Sequence, residues 1–163
     1  MNTLIGAFRC GIEKNQDVFW DPSRKLLKCI REYQLLRASK SPINVLRAKI
    51  CVIRHRFWSV VTGAEIDLSC QIGGGLLIPH PNGIVIHPKS IIGANCLIFQ
   101  QVTLGGAVNL GFHVDIGAGA KILGPLNIDN HARIGANAVV TKDVNQGETV
   151  VGIPAKLLIS TSS

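Results

Sequence analysis

Aromatic side chains are scarce in this chain: one Tyr, two Trp and five Phe among 163 residues. That suits a narrow interior filled by Ile, Leu, Val and Ala better than a wide core built on rings. Also missing is any run of about 20 uncharged apolar residues, so no membrane-spanning helix is expected. The opening stretch, Met1 to Gly11, meets Arg9 too early to hold a secretory apolar segment, which makes the cytoplasm the expected location. No CxxC spacing occurs. The five cysteines (Cys10, Cys29, Cys51, Cys70 and Cys96) are scattered and odd in number, pointing to reduced, mostly buried thiols rather than a zinc site or disulfide framework. Acidic residues are few at the start: residues 1–60 carry four Asp or Glu against twelve Lys or Arg, whereas residues 61–163 carry six against five. The basicity therefore belongs to an N-terminal arm. Such an arm suits an anionic membrane surface or an acidic polymer, and equally a solvated helix face. No aromatic-interleaved RNA motif accompanies it, so nucleic acid is not an expected partner.

What the chain does have is a beat of six. An aliphatic residue returns at Ile86, Ile92, Ile98, Leu104, Leu110, Ile116, Ile122, Ile128, Ile134 and Val140. Four positions after each of the first nine stands a small or aliphatic residue: Ser90, Cys96, Val102, Val108, Val114, Ala120, Leu126, Ala132 and Ala138. Glycine follows five of the nine directly, at Gly93, Gly105, Gly111, Gly117 and Gly135. A period of six fits neither an α-helix nor one long strand. It fits a short strand and a turn, repeated, with inward residues stacked coil upon coil. The chain reads as a solenoid.

Before the solenoid, Asp21-Pro22 and Ser41-Pro42 are helix-start signals, and Thr62-Gly63 is a stop. They predict helices over 22–39 and from 42 to about 61. In the second, Arg47, Lys49, Arg54, His55 and Arg56 interleave with Phe57 and Trp58. Packing of this helix on its own solenoid or on a sister subunit is the expectation, with a membrane surface as the alternative. Expected units are a basic helical arm over 1–62, the solenoid over 63–157 and a loose tail over 158–163. The early beats Ile66, Ile72 and Ile78 are followed by a step of eight to Ile86. The two extra residues fall in Pro79-His80-Pro81-Asn82-Gly83, and a break in a regular wall is where a side chain can be aimed differently. After Val140 the beat stops, and Gly147–Lys156 is the candidate closing segment.

Five strings, IGGGLLIPHPNGIVI (72–86), IIGANCLIFQQVTLGG (91–106), IGAGAKILG (116–124), IGANAVVTKDV (134–144) and VVGIPAK (150–156), resemble the hexapeptide-repeat acyltransferases and, within them, the serine acetyltransferase-like branch. The resemblance implies a mainly β fold, a left-handed parallel β-helix with three six-residue strands per coil, here preceded by a short α-helical region. It implies a homotrimer with sites between subunits, and acetyl-CoA as the acetyl donor. The general base of that family falls on His80, and the acidic residue that orients it falls on Glu65. A hydroxyl is a poor nucleophile until its proton is taken. A neutral imidazole does this near pH 7, and a carboxylate on its other nitrogen fixes the tautomer. With 18 residues per coil, Glu65 is expected to stack near Gly83. The groove for acetyl-CoA falls, by resemblance, on Gly105, Gly106, Ala118, Ala120, Ala136 and Ala138, with Lys142 and Lys156 near the nucleotide.

The sequence also departs from the serine enzymes. Their inserted loop after the TLGG string, which ends in an Arg-His pair, has no room here, and Ala107 stands at its root. Their Asp before the base histidine is Pro79. The helical region is short. Short relatives are associated with surface-polysaccharide synthesis, so the acceptor expected from these departures is a sugar or glycan hydroxyl, in a short polysaccharide-type O-acetyltransferase. Serine as acceptor is the alternative, and a non-catalytic scaffold a further one. His80, His87, His113 and His131 lack the spacing of a zinc site, so no metal is expected. His113 and His131, 18 apart, are expected to stack beneath Asn95.

Overall fold

A computed structural model describes residues 21–37 and 41–158. Helix α1 spans Pro22–Arg37. Asp21 caps it, its Oδ1 accepting from the Arg24 backbone N–H at 3.0 Å and the Ser23 hydroxyl at 2.7 Å. Helix α2 spans Pro42–Thr62 and ends on Gly63, whose φ of 64° is the left-handed conformation glycine adopts without penalty. Leu26, Leu27 and Ile30 of α1 are buried in the same core as the solenoid. Arg31 donates to the Gly73 carbonyl, and Gln34 to those of Leu68 and Cys70. From α2, His55 bonds the Ile66 carbonyl at 2.8 Å and the Ser59 hydroxyl donates to the Ala64 carbonyl. The helix pair thus lids the first coil. His55 and the half-buried Trp58 turn inward, so this part of the cluster packs on the chain's own solenoid.

The rest is a parallel β-solenoid of three faces, consistent with the expected left-handed β-helix. The first face stacks β1 (Glu65–Ile66), β3 (Val85–Ile86), β6 (Thr103–Gly105), β9 (Lys121–Leu123) and β12 (Val139–Val140). The second stacks β2 (Gln71–Ile72), β4 (Ile91–Ile92), β7 (Val108–Leu110) and β10 (Leu126–Ile128). The third stacks β5 (Leu97–Ile98), β8 (Asp115–Ile116), β11 (Arg133–Ile134), β13 (Thr149–Val151) and β14 (Lys156–Leu157). All pairs are parallel except β13 with β14.

Every residue of the six-beat series from Ile86 to Val140 is buried, as is each partner four positions on. The polar member, Ser90, is satisfied there: its hydroxyl donates to the Gly106 carbonyl at 3.1 Å. Cys29, Cys51, Cys70 and Cys96 are buried thiols; Cys10 lies outside the described residues. Most glycines after the beat are demanded by close coil packing. A Cβ on Gly117 would stand 2.6 Å from the Ala136 nitrogen, and one on Gly93 would strike the Gly111 carbonyl. Two register changes frame the stack. Across the inserted residues Glu65 pairs with Val85, not Gly83, because the two extra residues shift the register by two. At the far end the beat does not stop at Val140. It loses two residues and resumes, with Val144 beside Ile128 and Val150 paired to Ile134, both buried. Segment 147–156 closes the stack as expected, its β14 turning back on β13.

Candidate active site

The inserted residues form a loop at the edge between the third and first faces. Ile78 and Ile84 are buried and pin its two ends to the core. Gly83 takes a φ of 69° and donates its N–H to the Gly63 carbonyl at 2.8 Å. Asn82 offers its carbonyl to the Gln101 N–H at 2.9 Å, and Ile84 bonds back to Pro81 at 3.2 Å. With both ends held and prolines on either side of it, His80 is carried outward and is exposed.

His80 lines a cleft of about 500 Å³ between the loop and the helix pair. The opposite wall is Asp21, Pro22 and Ser23 at the start of α1, with Val61 and Thr62 at the end of α2. The Asp21 carboxylate is the acidic group of this lining. It is partly exposed and pairs with the Arg24 guanidinium at 3.0 Å. The sequence marked Asp21 as a helix cap only. Nothing in its local pattern says that a residue so far from His80 in the chain shares its cleft.

Glu65 is brought beside the loop through its backbone, its N–H donating to the Ile84 carbonyl at 2.7 Å. Its side chain is exposed and is not part of the cleft wall. Among the described residues no hydrogen bond joins the Glu65 carboxylate to the His80 ring. Below the loop, the same prism edge continues through Gln101, Gly119 and Asn137, linked by the bonds Gln101 N–H to Asn82, Gly119 N–H to Gln100 and Asn137 N–H to Ala118. Ala118 and the exposed Ala136 sit on this edge, in line with His80. Gly105 and Gly106 lie on the neighbouring edge, between the first and second faces. Ala120 and Ala138 are wholly inside the core, and their carbonyls bond Thr103 and Lys121. They build the wall, and their side chains have no access to a groove ligand. Lys142 and Lys156 are exposed near the closing end.

His113 and His131 stack as expected, ring centroids 5.2 Å apart and planes 7° from parallel, with the Asn95 amide 3.5 Å from His113 Nε2. Among the described residues no group of three His, Cys, Asp or Glu is arranged to hold a metal ion. The path from β6 to β7 runs straight through Gly106 and Ala107 with unbroken register, so no loop intervenes.

No family model matches this chain. It is 43% identical to a serine acetyltransferase of Synechococcus elongatus over 96% of this chain and 68% of that protein. Among solved structures, it is similar to a soybean serine acetyltransferase complexed with serine (TM-score 0.69, 34% identity, 82% of this chain and 56% of that one). It is similar too to a serine acetyltransferase in complex with CoA (TM-score 0.71, 31% identity, 85% and 57%). The chain therefore spans about two thirds of the cyanobacterial relative and a little over half of the two solved chains. These likenesses overturn the expected sugar or glycan acceptor and the polysaccharide branch, because the matched proteins are serine acetyltransferases. The missing loop and Pro79 had argued the other way, but they are local departures within a chain that matches along almost its whole length. Solenoid, displaced histidine and extended similarity agree: this chain is an acyltransferase of the hexapeptide-repeat class and belongs to the serine acetyltransferase family.

Proposed function

We propose that the chain transfers the acetyl group of acetyl-CoA to the hydroxyl of L-serine, with His80 as general base. The observation that carries this reading is the cleft that His80 and Asp21 share. An amino-acid acceptor presents an ammonium group and a hydroxyl a few ångströms apart. A carboxylate on one wall offers a partner for the ammonium, and an imidazole on the other a base for the hydroxyl. In this reading Asp21 holds the ammonium, a task for which Pro79 has no charge. His80 takes the hydroxyl proton as the oxygen attacks the thioester carbonyl. The negative charge that builds on the carbonyl oxygen calls for backbone N–H donors. The imidazolium then gives its proton to the departing thiolate, leaving O-acetylserine and CoA. Glu65, on the strand bonded to the His80 loop, serves as the orienting carboxylate once the site is assembled.

Acetyl-CoA fits what the two edges offer. Gly105 is not demanded by packing, since a Cβ there would meet Leu123 Cδ2 at an ordinary 3.6 Å. A glycine that the fold does not need suits a ligand lying close to the backbone. Ala118 and Ala136 keep the edge below His80 low. Because Gly105 and Gly106 lie on a different edge, the complete groove calls for a second copy of the chain, and a homotrimer supplies it. The direct test is release of CoA thiol from acetyl-CoA with L-serine against a nucleotide sugar. Turnover with serine alone supports the reading. Failure to bind CoA would leave only a scaffold.

A further inference from the structure

Helix α2 carries a second surface that the acetyl-transfer reading does not use. Ile43, Leu46, Ile50, Ile53, Phe57 and Val60 recur at alternating steps of three and four, and each is between 49% and 84% exposed. They form one stripe about 26 Å long on the side of the helix facing away from α1 and the solenoid. The buried and half-buried residues Ala48, Cys51, Val52, His55, Ser59 and Thr62 lie opposite. The stripe is bordered by cations on both sides: Arg47 and Arg54 along one margin, Lys49 and Arg56 along the other. The helix contains no acidic residue. Arg54 reaches Glu32 of α1 at 3.0 Å; among the described residues, Arg47, Lys49 and Arg56 have no ion pair.

This charge pattern selects the occupant. A second α2 seated on the stripe would bring its margins against these, cation to cation, which opposes pairing. A surface with anionic groups on both sides of an apolar trough suits both margins at once. No described helix is long and apolar enough to cross a membrane, so α2 would lie in the surface plane. We propose that α2 docks the protein on anionic lipid, its stripe entering the acyl boundary and Arg47, Lys49 and Arg56 reaching the phosphates. The excess of twelve basic over four acidic residues in positions 1–60 supplies long-range attraction to the same surface. The inference stands apart from the acetyl-transfer reading.

The test is co-sedimentation of the full chain with vesicles of phosphatidylcholine alone or with about 30% phosphatidylglycerol, at about 0.1 M and about 1 M salt. Binding is expected only with phosphatidylglycerol and only at low salt. The triple variant Arg47→Gln/Lys49→Gln/Arg56→Gln should weaken it by about fivefold per cation removed. Ile53→Glu/Phe57→Glu should abolish it. Acetyl transfer, wherever it is measured, should be unchanged in both, since neither touches the cleft. If the stripe variant fails to fold, the triple variant of exposed cations carries the test alone. Equal binding to neutral vesicles, equal binding by the variants, or no vesicle binding at all overturns the proposal. So does a stripe variant whose only change is a smaller assembly, or capture by the wild type of an acidic helical peptide in preference to vesicles. Those two results would mark a protein interface.

Discussion

The Gly83 N–H donates to the Gly63 carbonyl at 2.8 Å, tying the loop that carries His80 to the residue that ends α2. The same turn therefore fixes both walls of the cleft: the helix end with Val61 and Thr62, and the displaced histidine.

Replacing His80 by Ala removes the proposed base from an exposed position. Turnover with serine should fall by about 10²- to 10⁴-fold, the usual worth of positioned proton transfer. The thermal midpoint should stay where it is, since no core atom is lost. Activity near that of the wild type would remove His80 from the mechanism.

Asp21 has two tasks that substitution can divide. Asn caps a helix as well as Asp does, so Asp21→Asn should keep α1 intact. It removes the charge, and the KM for serine should rise about ten- to a hundredfold, the worth of a hydrogen bond to a charged group. Asp21→Ala should show the same kinetic loss and, in addition, lose about 1 kcal/mol of stability with the cap. An unchanged KM in Asp21→Asn would place the ammonium elsewhere.

The repeat glycines should divide in the same way. Gly93→Ala drives a methyl into the Gly111 carbonyl and should cost about 1–3 kcal/mol in urea unfolding. Gly105→Ala meets only ordinary contact and should change stability by less than about 0.5 kcal/mol. Its effect should appear in the KM for acetyl-CoA. A Gly105→Ala protein with unaltered kinetics would take this residue out of the donor groove.

Cys70 gives the fold an alkaline weakness. Burial beneath the first coils pushes its thiol up to about 11 from the ordinary 9.0. Between those values the unfolded chain releases this proton and the folded one keeps it, so stability falls as pH rises through that window. The whole loss is about 2–3 kcal/mol at 1.36 kcal/mol per unit. Below pH 9 the group has no effect. Urea unfolding at pH 8 and pH 11 should show the drop in the wild type and a smaller one in Cys70→Ala. Asp67 works in the other direction: hydrogen bonds from the Ser69 hydroxyl and N–H hold its carboxyl low, which stabilises the fold until pH falls through the folded value.

The wall of this protein was legible because its rule is local. An Ile every sixth residue has one place to go when strands are two or three residues long, and all ten beats went there. The frame break at Pro79–Gly83 was visible for the same reason, as a step of eight. The partner of Glu65 was misplaced because the break itself shifts every pairing across it by two, giving Val85. The closing segment over 147–156 was legible, but its place in the beat was not, because a deletion of two residues puts Val144 and Val150 out of a fixed period. Asp21 lay beyond sequence reasoning altogether. Its place opposite His80 depends on how the helix pair seats on the first coil, through contacts such as Gln34 to Cys70 and His55 to Ile66. The expected glycan acceptor rested on local departures, namely the missing loop, Pro79 and the short helical region, and the likeness to serine acetyltransferases along almost the whole chain outweighs them.

A stack of parallel strands has an open end that invites further strands to add, without limit. Here β14 doubles back on β13 in the opposite sense, and it is only two residues long. A newcomer on this face would meet a brief, reversed rung with Lys156 on it, in place of the long regular template that filament growth requires. The hairpin therefore gives the prism a definite last floor and guards it against end-to-end polymerisation.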